Sequence, residues 1–302
     1  MKAFYTDHFV LPLPEGHRFP MEKYSRLRDL VGTQENIELV EAPPATDTQI
    51  LYAHDPSYLI KVIEGKLSPQ EQREIGFPWS EQMVERSRRS AGATVAAAKT
   101  ALREGIAANL AGGTHHAYRD TGSGFCVFND SAIAARTLQK EVSASLKIAV
   151  IDLDVHQGNG TASILQHDES IFTLSIHGEN NFPFKKEESD LDVGLPDGCN
   201  DEVYLHSLGE CLDQLDARFK ANCLIFLAGA DPHEGDRLGR LKVSREGMRL
   251  RDQMVFQYAL NRQLPIAFSM AGGYGKEIES TVNIHFQTIK TALQFQKQYL
   301  FP

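Results

Sequence analysis

The stretch KIAVIDLDVHQGNG at residues 147–160 is the most informative part of the chain, because an apolar run leads directly into polar residues. Lys147–Leu153 has the length of a strand, and its nearly continuous apolar character is typical of a strand buried on both faces. Asp152 lies inside this run, and Asp154 and His156 follow it. The stretch therefore predicts a strand of a mostly parallel sheet, with reactive side chains at its carboxyl end.

Similar apolar runs recur along the chain, with helical patterns between them. The further predicted strands are Lys2–Tyr5, Ile37–Val40, Ile106–Leu110, Ser170–Ile176, Cys223–Gly229 and Pro265–Ala271. The clearest predicted helices are Ser80–Arg103, Asp201–Lys220, Ser244–Arg262 and Lys276–Gln298, and Gly178–Asn200 is predicted to be irregular. This alternation predicts an α/β fold with a single open, mostly parallel β-sheet and helices on both faces. No linker or internal repeat interrupts it, so one domain is the simplest interpretation.

Composition excludes several classes of protein. The 302 residues carry a net charge of −9, which argues against a surface that neutralises nucleic-acid phosphates. No apolar segment is long enough to predict a membrane span, and Asp7 falls where a signal peptide would be apolar. The four cysteines form no C-x-x-C pair that would suggest a cysteine zinc site. We therefore expect a cytoplasmic protein that binds no nucleic acid and has no membrane span.

Polar residues follow four of the predicted strands, each at its carboxyl end. The four segments are Ala111–His116, Asp154–Gly160, Ala230–Asp236 and Gly272–Tyr274. Because the carboxyl ends of parallel strands share one edge of an open sheet, where ligands bind, these segments are expected to converge.

Asp154, His156 and Asp231 are the candidate metal ligands in this set. Alternate residues of an extended chain share a face, so Asp154 and His156 can bind one ion, while Asp152 lies further back. Two carboxylates and one imidazole leave a coordination position open for water, as in a catalytic zinc site, although Fe²⁺ would also accept these ligands. Such an ion activates water and polarises a carbonyl.

Two alternatives remain beside the single catalytic metal. In the first, Asp152 and Asp154 cap the following helix and bond to its loop, and His156 is an ordinary buried histidine. In the second, the site is binuclear, as in ureohydrolases, but Asn159 and the Pro232-His233 pair occupy positions where further acidic ligands would be needed. The residues favour one metal.

Adjacent histidines and a tyrosine supply candidate proton donors and acceptors. With three metal ligands already assigned, His115 and His116 are better suited to proton transfer, held by partners such as Asp152 and Asn159. Tyr274 follows two glycines and could donate its hydroxyl hydrogen to an oxyanion.

The motifs together resemble those of the zinc-dependent histone deacetylase family, within the arginase–deacetylase superfamily. The resemblance spans nearly the whole chain, and its motifs occur in the family's order: Gly112–Ala117, Gly124–Asp130, Ile151–Thr161, Gly229–Ser244 and Gly272–Tyr274. Asp154–Gly160 and Glu234–Gly239 look most similar to the class IV branch and its bacterial relatives. The resemblance implies a single deacetylase-like catalytic domain over residues 1–302.

The resemblance also implies roles for individual residues. It implies one Zn²⁺ per chain on the three candidate ligands, His116 as general base and acid, and Tyr274 as the residue that activates and stabilises the substrate carbonyl. His115 matches the neighbouring histidine, with Asp152 as its partner. Asn159 stands where several members have Asp, so a neutral amide would hold His116. The implied tunnel residues are Gly124, Phe125, Phe182 and Gly273, and an implied potassium site involves Asp152, Asp154, His156 and Ser175.

The expected reaction is hydrolysis of the amide bond on the ε-amino group of acyl-lysine in a protein or peptide. The acyl group is acetyl or, from the class IV resemblance, a longer chain. Two alternatives stay open: an acetylpolyamine amidohydrolase that acts on acylated polyamines, and a catalytically silent module that binds acyl-lysine.

Overall fold

The computed structural model describes residues 1–300, so the last two positions of the predicted domain lie outside the described residues. Within these 300 residues, eight strands form one sheet in which all neighbouring strands run parallel. The strands are β1 Lys2–Tyr5, β2 Glu38–Glu41, β3 Ile106–Asn109, β4 Ile148–Asp152, β5 Ile171–Gly178, β6 Leu191–Leu195, β7 Cys223–Leu227 and β8 Ile266–Ser269. The predicted open parallel sheet is confirmed.

The strand order is β2-β1-β3-β8-β7-β4-β5-β6, which places β4 between β7 and β5. In this register Asp152 is paired with Leu227 of β7 on one side and with Ser175 of β5 on the other. The loops after β3, β8, β7 and β4 therefore lie side by side at the carboxyl edge of the sheet. Parallel pairing in this order brings distant segments of the chain to the same place.

Helices cover both faces of the sheet, in agreement with the prediction. Their bounds are α1 Glu22–Val31, α2 Asp47–Leu51, α3 Pro56–Ile63, α4 Pro69–Ile75, α5 Glu81–Glu104, α6 Asp130–Glu141, α7 Asn159–Leu165, α8 Asp201–Arg218, α9 Arg245–Asn261 and α10 Ile278–Leu300. One apolar core contains buried residues of α1, α8, α9 and α10, and the other contains those of α3, α5 and α6. None of the helices within residues 1–300 is long and apolar enough to cross a membrane.

Small residues and caps explain two of the helices. The buried alanines of α5, such as Ala91 and Ala97, let this helix pack closely on β1, β3 and β8. At Gly92 a Cβ would lie 2.0 Å from the carbonyl oxygen of Pro43, so this approach requires glycine. The predicted N-cap of α9 is confirmed, because Ser244 accepts a hydrogen bond from the main-chain N–H of Gly247.

The prediction of an irregular stretch over Gly178–Asn200 is wrong in part. Gly178 is the last residue of β5, and Leu191–Leu195 forms β6 at the edge of the sheet. The sequence LDVGL alternates apolar and polar residues, and burial alternates with it, as in a strand that is covered on one face. The surrounding Pro, Asp and Gly residues obscured this short pattern, and pairing with β5 stabilises it.

Candidate active site

A cavity of about 620 Å³ lies at the carboxyl edge of the sheet, where the loops that follow the central strands meet. Its lining from these loops comprises Gly112, Gly113, Thr114, His115 and His116 after β3, Asp154 and His156 after β4, and Ala271, Gly272 and Tyr274 after β8. Asp231 follows β7, and its carboxylate approaches His156. Three of the four segments that the sequence predicted to converge therefore line one cavity, and the fourth joins them through the contact between Asp231 and His156.

Asp154, His156 and Asp231 form a compact group of possible metal ligands. Their ligand atoms all lie within 4.8 Å of one another, and all three side chains are buried. Nδ1 of His156 lies 2.9 Å from Oδ1 of Asp154 and 3.4 Å from Oδ2 of Asp231. Main-chain N–H groups orient both carboxylates: Gly272 donates to Oδ2 of Asp154 at 2.7 Å, and Val155 donates to Oδ1 of Asp231 at 2.9 Å.

The chemistry of this group fits a divalent cation. Oδ2 of Asp231 is buried and receives no hydrogen bond within residues 1–300, even though Nδ1 of His156 is near. Such an acceptor is costly in the interior unless a hydrogen-bond donor or a cation satisfies it. Burial and the charge of Asp154 raise the pKa of Asp231 to about 7. Burial opposes the protonation of His156, but the two carboxylates outweigh it and raise its pKa to about 10. A metal ion would displace these protons and relieve the repulsion between the carboxylates.

The structure also bears on the two alternative interpretations. Helix α7 follows Gly158 without a side-chain cap, so neither Asp152 nor Asp154 caps it. Both do accept loop hydrogen bonds, since Asp154 N–H donates to Asp152 and His156 N–H donates to Asp154. Within the described chain, the three-residue group is the sole cluster of three or more potential ligands, which agrees with one metal rather than two.

His115 is held against a carboxylate. Its Nδ1 lies 2.6 Å from Oδ2 of Asp152, and both side chains are buried. Burial alone would lower the pKa of His115, but the Asp152 and Asp154 carboxylates outweigh it and raise this pKa to about 9. Gly158 makes room for the pair, because a Cβ there would lie 2.3 Å from Oδ2 of Asp152. The contact with Asp152 therefore fixes the imidazole of His115 and favours its protonated form.

His116 has a different partner and, unlike His115, favours the neutral form. Its Nδ1 lies 2.6 Å from Oδ1 of Asn159, a neutral amide. Burial, followed by repulsion from His115 and His156, lowers the pKa of His116 well below its usual range. The centroids of the two adjacent imidazoles are 4.1 Å apart, so the charged His115 disfavours a second proton nearby. His116 is consequently neutral and able to accept a proton.

Tyr274 lines the same cavity, and its main chain is fixed on both sides. Its N–H donates to Oδ2 of Asp236 at 2.6 Å, and its carbonyl oxygen accepts from Nε of Arg237 at 3.0 Å. Burial raises the pKa of the Tyr274 hydroxyl well above its usual value. The side chain therefore remains a phenol, which can donate a hydrogen bond.

Two aromatic side chains line the cavity near these residues. Phe182 packs on His116 with ring centroids 4.9 Å apart, and the ring centroid of Phe125 is 6.0 Å from that of Tyr274. Gly124 lies between His116 and Phe182 with a φ of 53°, and a Cβ there would lie 2.6 Å from the imidazole. Phe182 is 36% exposed, which puts it at the solvent end of the cavity.

Gly273 is placed differently from what sequence reasoning suggested, and Lys23 lies at the cavity although sequence reasoning did not consider it. Gly272 lines the cavity, whereas Gly273 is not among the lining residues. Nζ of the buried Lys23 lies 3.3 Å from the carbonyl oxygens of both Ala271 and Gly273, and Lys23 itself lines the cavity. Sequence reasoning missed Lys23, because a lysine in the first turn of a short amphipathic helix is normally a surface residue.

The N-terminal segment and α5 contribute a second basic group that was missed. Arg86 is 5% exposed, lines the cavity, and has its guanidinium 4.3 Å from the ring centroid of Tyr24. It also donates hydrogen bonds to the main chain and side chain of Thr6. This arginine is buried because α5 packs against the start of the chain.

Comparisons with known proteins point to one protein family. The profile of the Histone deacetylase domain matches residues 17–289. An uncharacterized protein of Picosynechococcus sp. is 44% identical over 284 residues, which cover 93% of this chain and 94% of that protein. Histone deacetylase 2 of Arabidopsis thaliana is 30% identical over 273 residues, which cover 86% of this chain and 70% of that protein.

The fold has counterparts among solved structures. The crystal structure of an HDAC homolog from Aquifex aeolicus superimposes with a TM-score of 0.80, covering 98% of this chain and 88% of that one at 23% identity. At this identity the likeness concerns the fold alone. It agrees with the eight-stranded parallel sheet and its covering helices.

Proposed function

This chain belongs to the Histone deacetylase domain family, and on that premise we propose that it is a zinc-dependent amidohydrolase that removes acyl groups from the ε-amino group of lysine. The observation that carries the proposal is the meeting of a buried Asp154–His156–Asp231 group with a neutral His116 and a phenolic Tyr274 around one cavity. Each part is needed to hydrolyse an unactivated amide: a Lewis acid, a base and an oxyanion donor.

The three buried ligands would hold the zinc ion, which when bound polarises the substrate carbonyl and makes water more acidic. His116 accepts a proton from the attacking water at the ring nitrogen that Asn159 does not use. Tyr274 donates its hydroxyl hydrogen bond to the carbonyl oxygen as negative charge develops there. His116 then returns the proton to the departing amine, which leaves free lysine and a carboxylate. His115 and Asp152 stay paired beside His116.

Phe125 and Phe182 are the proposed walls for the lysine side chain, with Gly124 between them and His116. The cavity extends beyond these walls, because it also contacts Lys23 and Arg86, which belong to α1 and α5. Its volume of about 620 Å³ lies within the range for drug-sized ligands. Both facts support substrates with acyl chains longer than acetyl as well as acetyl itself. This breadth agrees with the proposed kinship to the class IV branch and its bacterial relatives.

Two further parts of the proposal concern the ions and the extent of the domain. We propose that residues 1–302 form a single catalytic domain with one zinc ion. A potassium ion is proposed near Asp152 and Ser175, which are paired on adjacent strands, together with main-chain oxygens of Asp154 and His156.

The proposal is tested with purified zinc-loaded protein and a panel of substrates: acetyl-, octanoyl- and myristoyl-lysine peptides and N-acetylputrescine. We expect release of the carboxylate from at least one acyl-lysine peptide. Turnover of N-acetylputrescine alone would instead identify a polyamine amidohydrolase. Failure to hydrolyse any substrate, with zinc demonstrably bound, would refute the enzyme and leave a silent acyl-lysine-binding module. Where an aspartate of the metal-ligand group is replaced, as in Asp231→Asn, the matched control is Asp216→Asn, because Asp216 pairs with Arg262 at the surface.

A further inference from the structure

His116 is connected to a distant carboxylate through two intermediate side chains. Beyond the 2.6 Å contact between His116 and Asn159, Nδ2 of Asn159 donates to the hydroxyl oxygen of Tyr118 at 2.8 Å. The Tyr118 hydroxyl in turn donates to Oε1 of Glu187 at 3.2 Å. The four side chains thus form a continuous hydrogen-bonded row, and its far end is an acid in the loop between β5 and β6. His115, by contrast, meets its carboxylate directly.

The carboxylate determines the direction of every hydrogen bond in this row. An ionised Glu187 can only accept, so the Tyr118 hydroxyl must donate to it. The Tyr118 oxygen then accepts from the amide nitrogen of Asn159, which turns the amide oxygen toward His116. That oxygen can only accept, so Nδ1 of His116 must carry the hydrogen. The lone pair of the neutral imidazole is then on Nε2.

Without an acid at the end, the same row could run in either direction. Tyr118 could donate to the Asn159 oxygen, and the Asn159 amide nitrogen would then donate to His116. His116 would in that case carry its hydrogen on Nε2, where it could not act as a base. An asparagine alone therefore does not define the tautomer of His116, whereas an aspartate in direct contact would.

The main chain of Glu187 is fixed by the residue that follows the metal ligand His156. The side-chain oxygen of Gln157 accepts from the N–H of Glu187 at 2.9 Å, and its nitrogen donates to the Glu187 carbonyl at 2.7 Å. The same nitrogen also donates to Asp192 of β6 at 2.9 Å, and Gln157 is 1% exposed. Asn159 is thus one end of the connection through Tyr118 to Glu187, and Gln157, two residues earlier in the chain, fixes the other end.

We propose that Glu187 is a positioning residue that acts through Tyr118 and Asn159 to keep His116 in the tautomer with hydrogen on Nδ1. This role rests on the proposed function of His116 as proton carrier. Asn159 is neutral, so the negative charge that sets the hydrogen-bond directions comes from Glu187, two hydrogen bonds away. It touches neither the ligand group nor the reacting atoms, so its effect is on the orientation and tautomer of His116.

The kinetic test uses Tyr118→Phe and Glu187→Gln, with Glu188→Gln as the control because Glu188 is the exposed neighbouring acid on the same loop. We expect kcat to fall about 10- to 100-fold in both variants, the range for removing a partner that orients a site histidine. KM is expected to stay within about twofold, as for groups that do not contact substrate. The double variant is expected to be no slower than Tyr118→Phe, since both changes break one row. Glu188→Gln is expected to match the wild type.

A second readout does not depend on turnover. Long-range ¹H–¹⁵N NMR of histidine-labelled protein, with His116 assigned by its loss in His116→Gln, reports which ring nitrogen carries hydrogen. We expect only the Nδ1–H tautomer in the wild type, and a mixture or the Nε2–H tautomer in Glu187→Gln. An unchanged tautomer, or unchanged kcat in both variants, would overturn the inference. A rise in KM at unchanged kcat would also overturn it, since Glu187 would then act on substrate entry. If the wild type itself hydrolyses no substrate, the proposed function fails, while the NMR result still decides the role of Glu187.

Discussion

Nδ1 of His156 lies 3.4 Å from Oδ2 of Asp231, although the two residues belong to loops that follow different strands. The carboxylate oxygen at this contact is buried and accepts no hydrogen bond within residues 1–300. The folded chain therefore holds negative charge and an imidazole together at a position that a cation completes. Without a cation, repulsion between the carboxylates of Asp231 and Asp154 destabilises this group of ligands.

Replacement of one ligand is expected to abolish tight zinc binding. Asp231→Asn keeps the size of the side chain but removes its charge. Loss of a residue that only hydrogen-bonds to a metal ligand typically lowers metal affinity ~10- to 100-fold, and loss of the ligand itself is expected to lower zinc affinity by more than that. Zinc per chain, measured by elemental analysis after dialysis, checks this, with Asp216→Asn as control. The zinc-dependent rise in melting temperature should vanish as well, because it reflects binding to the folded state. Normal zinc content in Asp231→Asn would contradict the ligand assignment.

Loss of the Tyr274 hydroxyl is expected to affect the reaction but not the metal. Tyr274→Phe retains the ring and the main-chain bonds to Asp236 and Arg237, which do not depend on the hydroxyl. Removal of one oxyanion donor typically lowers kcat ~10²- to 10³-fold. Steady-state kinetics together with zinc analysis separates the two effects. An unchanged kcat would remove Tyr274 from the proposed mechanism.

A buried neutral histidine is expected to make stability depend on pH. Nε2 of His54 accepts the main-chain N–H of Asn129 at 2.9 Å, and burial lowers the pKa of His54 to about 4. The unfolded chain, with a pKa near 6.5, binds the proton first as pH falls. The stabilisation is complete above pH ~6.5 and is lost progressively between about 6.5 and 4.

His54→Gln keeps an acceptor for Asn129 but does not titrate. Between about pH 7.5 and pH 5, the wild type is expected to lose about 2 kcal/mol of unfolding free energy more than this variant does. Urea denaturation of both proteins at the two pH values measures the difference. Equal losses would show that His54 is not protonated preferentially in the unfolded state.

Arg251 is expected to stabilise the main chain beside two of the ligands. It is fully buried, pairs with Asp252 at 2.7 Å, and donates hydrogen bonds to the carbonyl oxygens of Leu153 and Gly229. Arg251→Met would leave the Asp252 carboxylate buried without its cation, and about 3–5 kcal/mol of unfolding free energy is expected to be lost.

The matched control is Arg249→Met, because Arg249 forms an exposed ion pair with Glu246 on the same helix. Such a surface change is usually within about 0.5 kcal/mol of the wild type. Urea unfolding of the zinc-free proteins measures both changes without a contribution from metal binding. Equal stability of the two variants would show that the buried pair has no special role.

Local pattern was sufficient to predict most of the sheet and the polar residues at its edge. Lys147–Leu153 reveals a buried strand because nearly every side chain in it is apolar, and the aspartates and histidine after it are adjacent in the chain. The parallel order of strands then follows from general rules for α/β folds. For this reason Asp154, His156, Asp231, His115, His116 and Tyr274 could be identified as one candidate site without coordinates.

Relations between distant segments were decided by tertiary structure alone. The edge strand β6, the buried positions of Lys23 and Arg86, and the row from His116 to Glu187 depend on contacts with residues far away in the chain. No periodicity encodes such contacts, because a short polar segment gains its partners and loses its water only when the other layers pack against it. Sequence thus determined which chemical groups are present at the sheet edge, and packing determined their charges, their orientation and the carboxylate that directs His116.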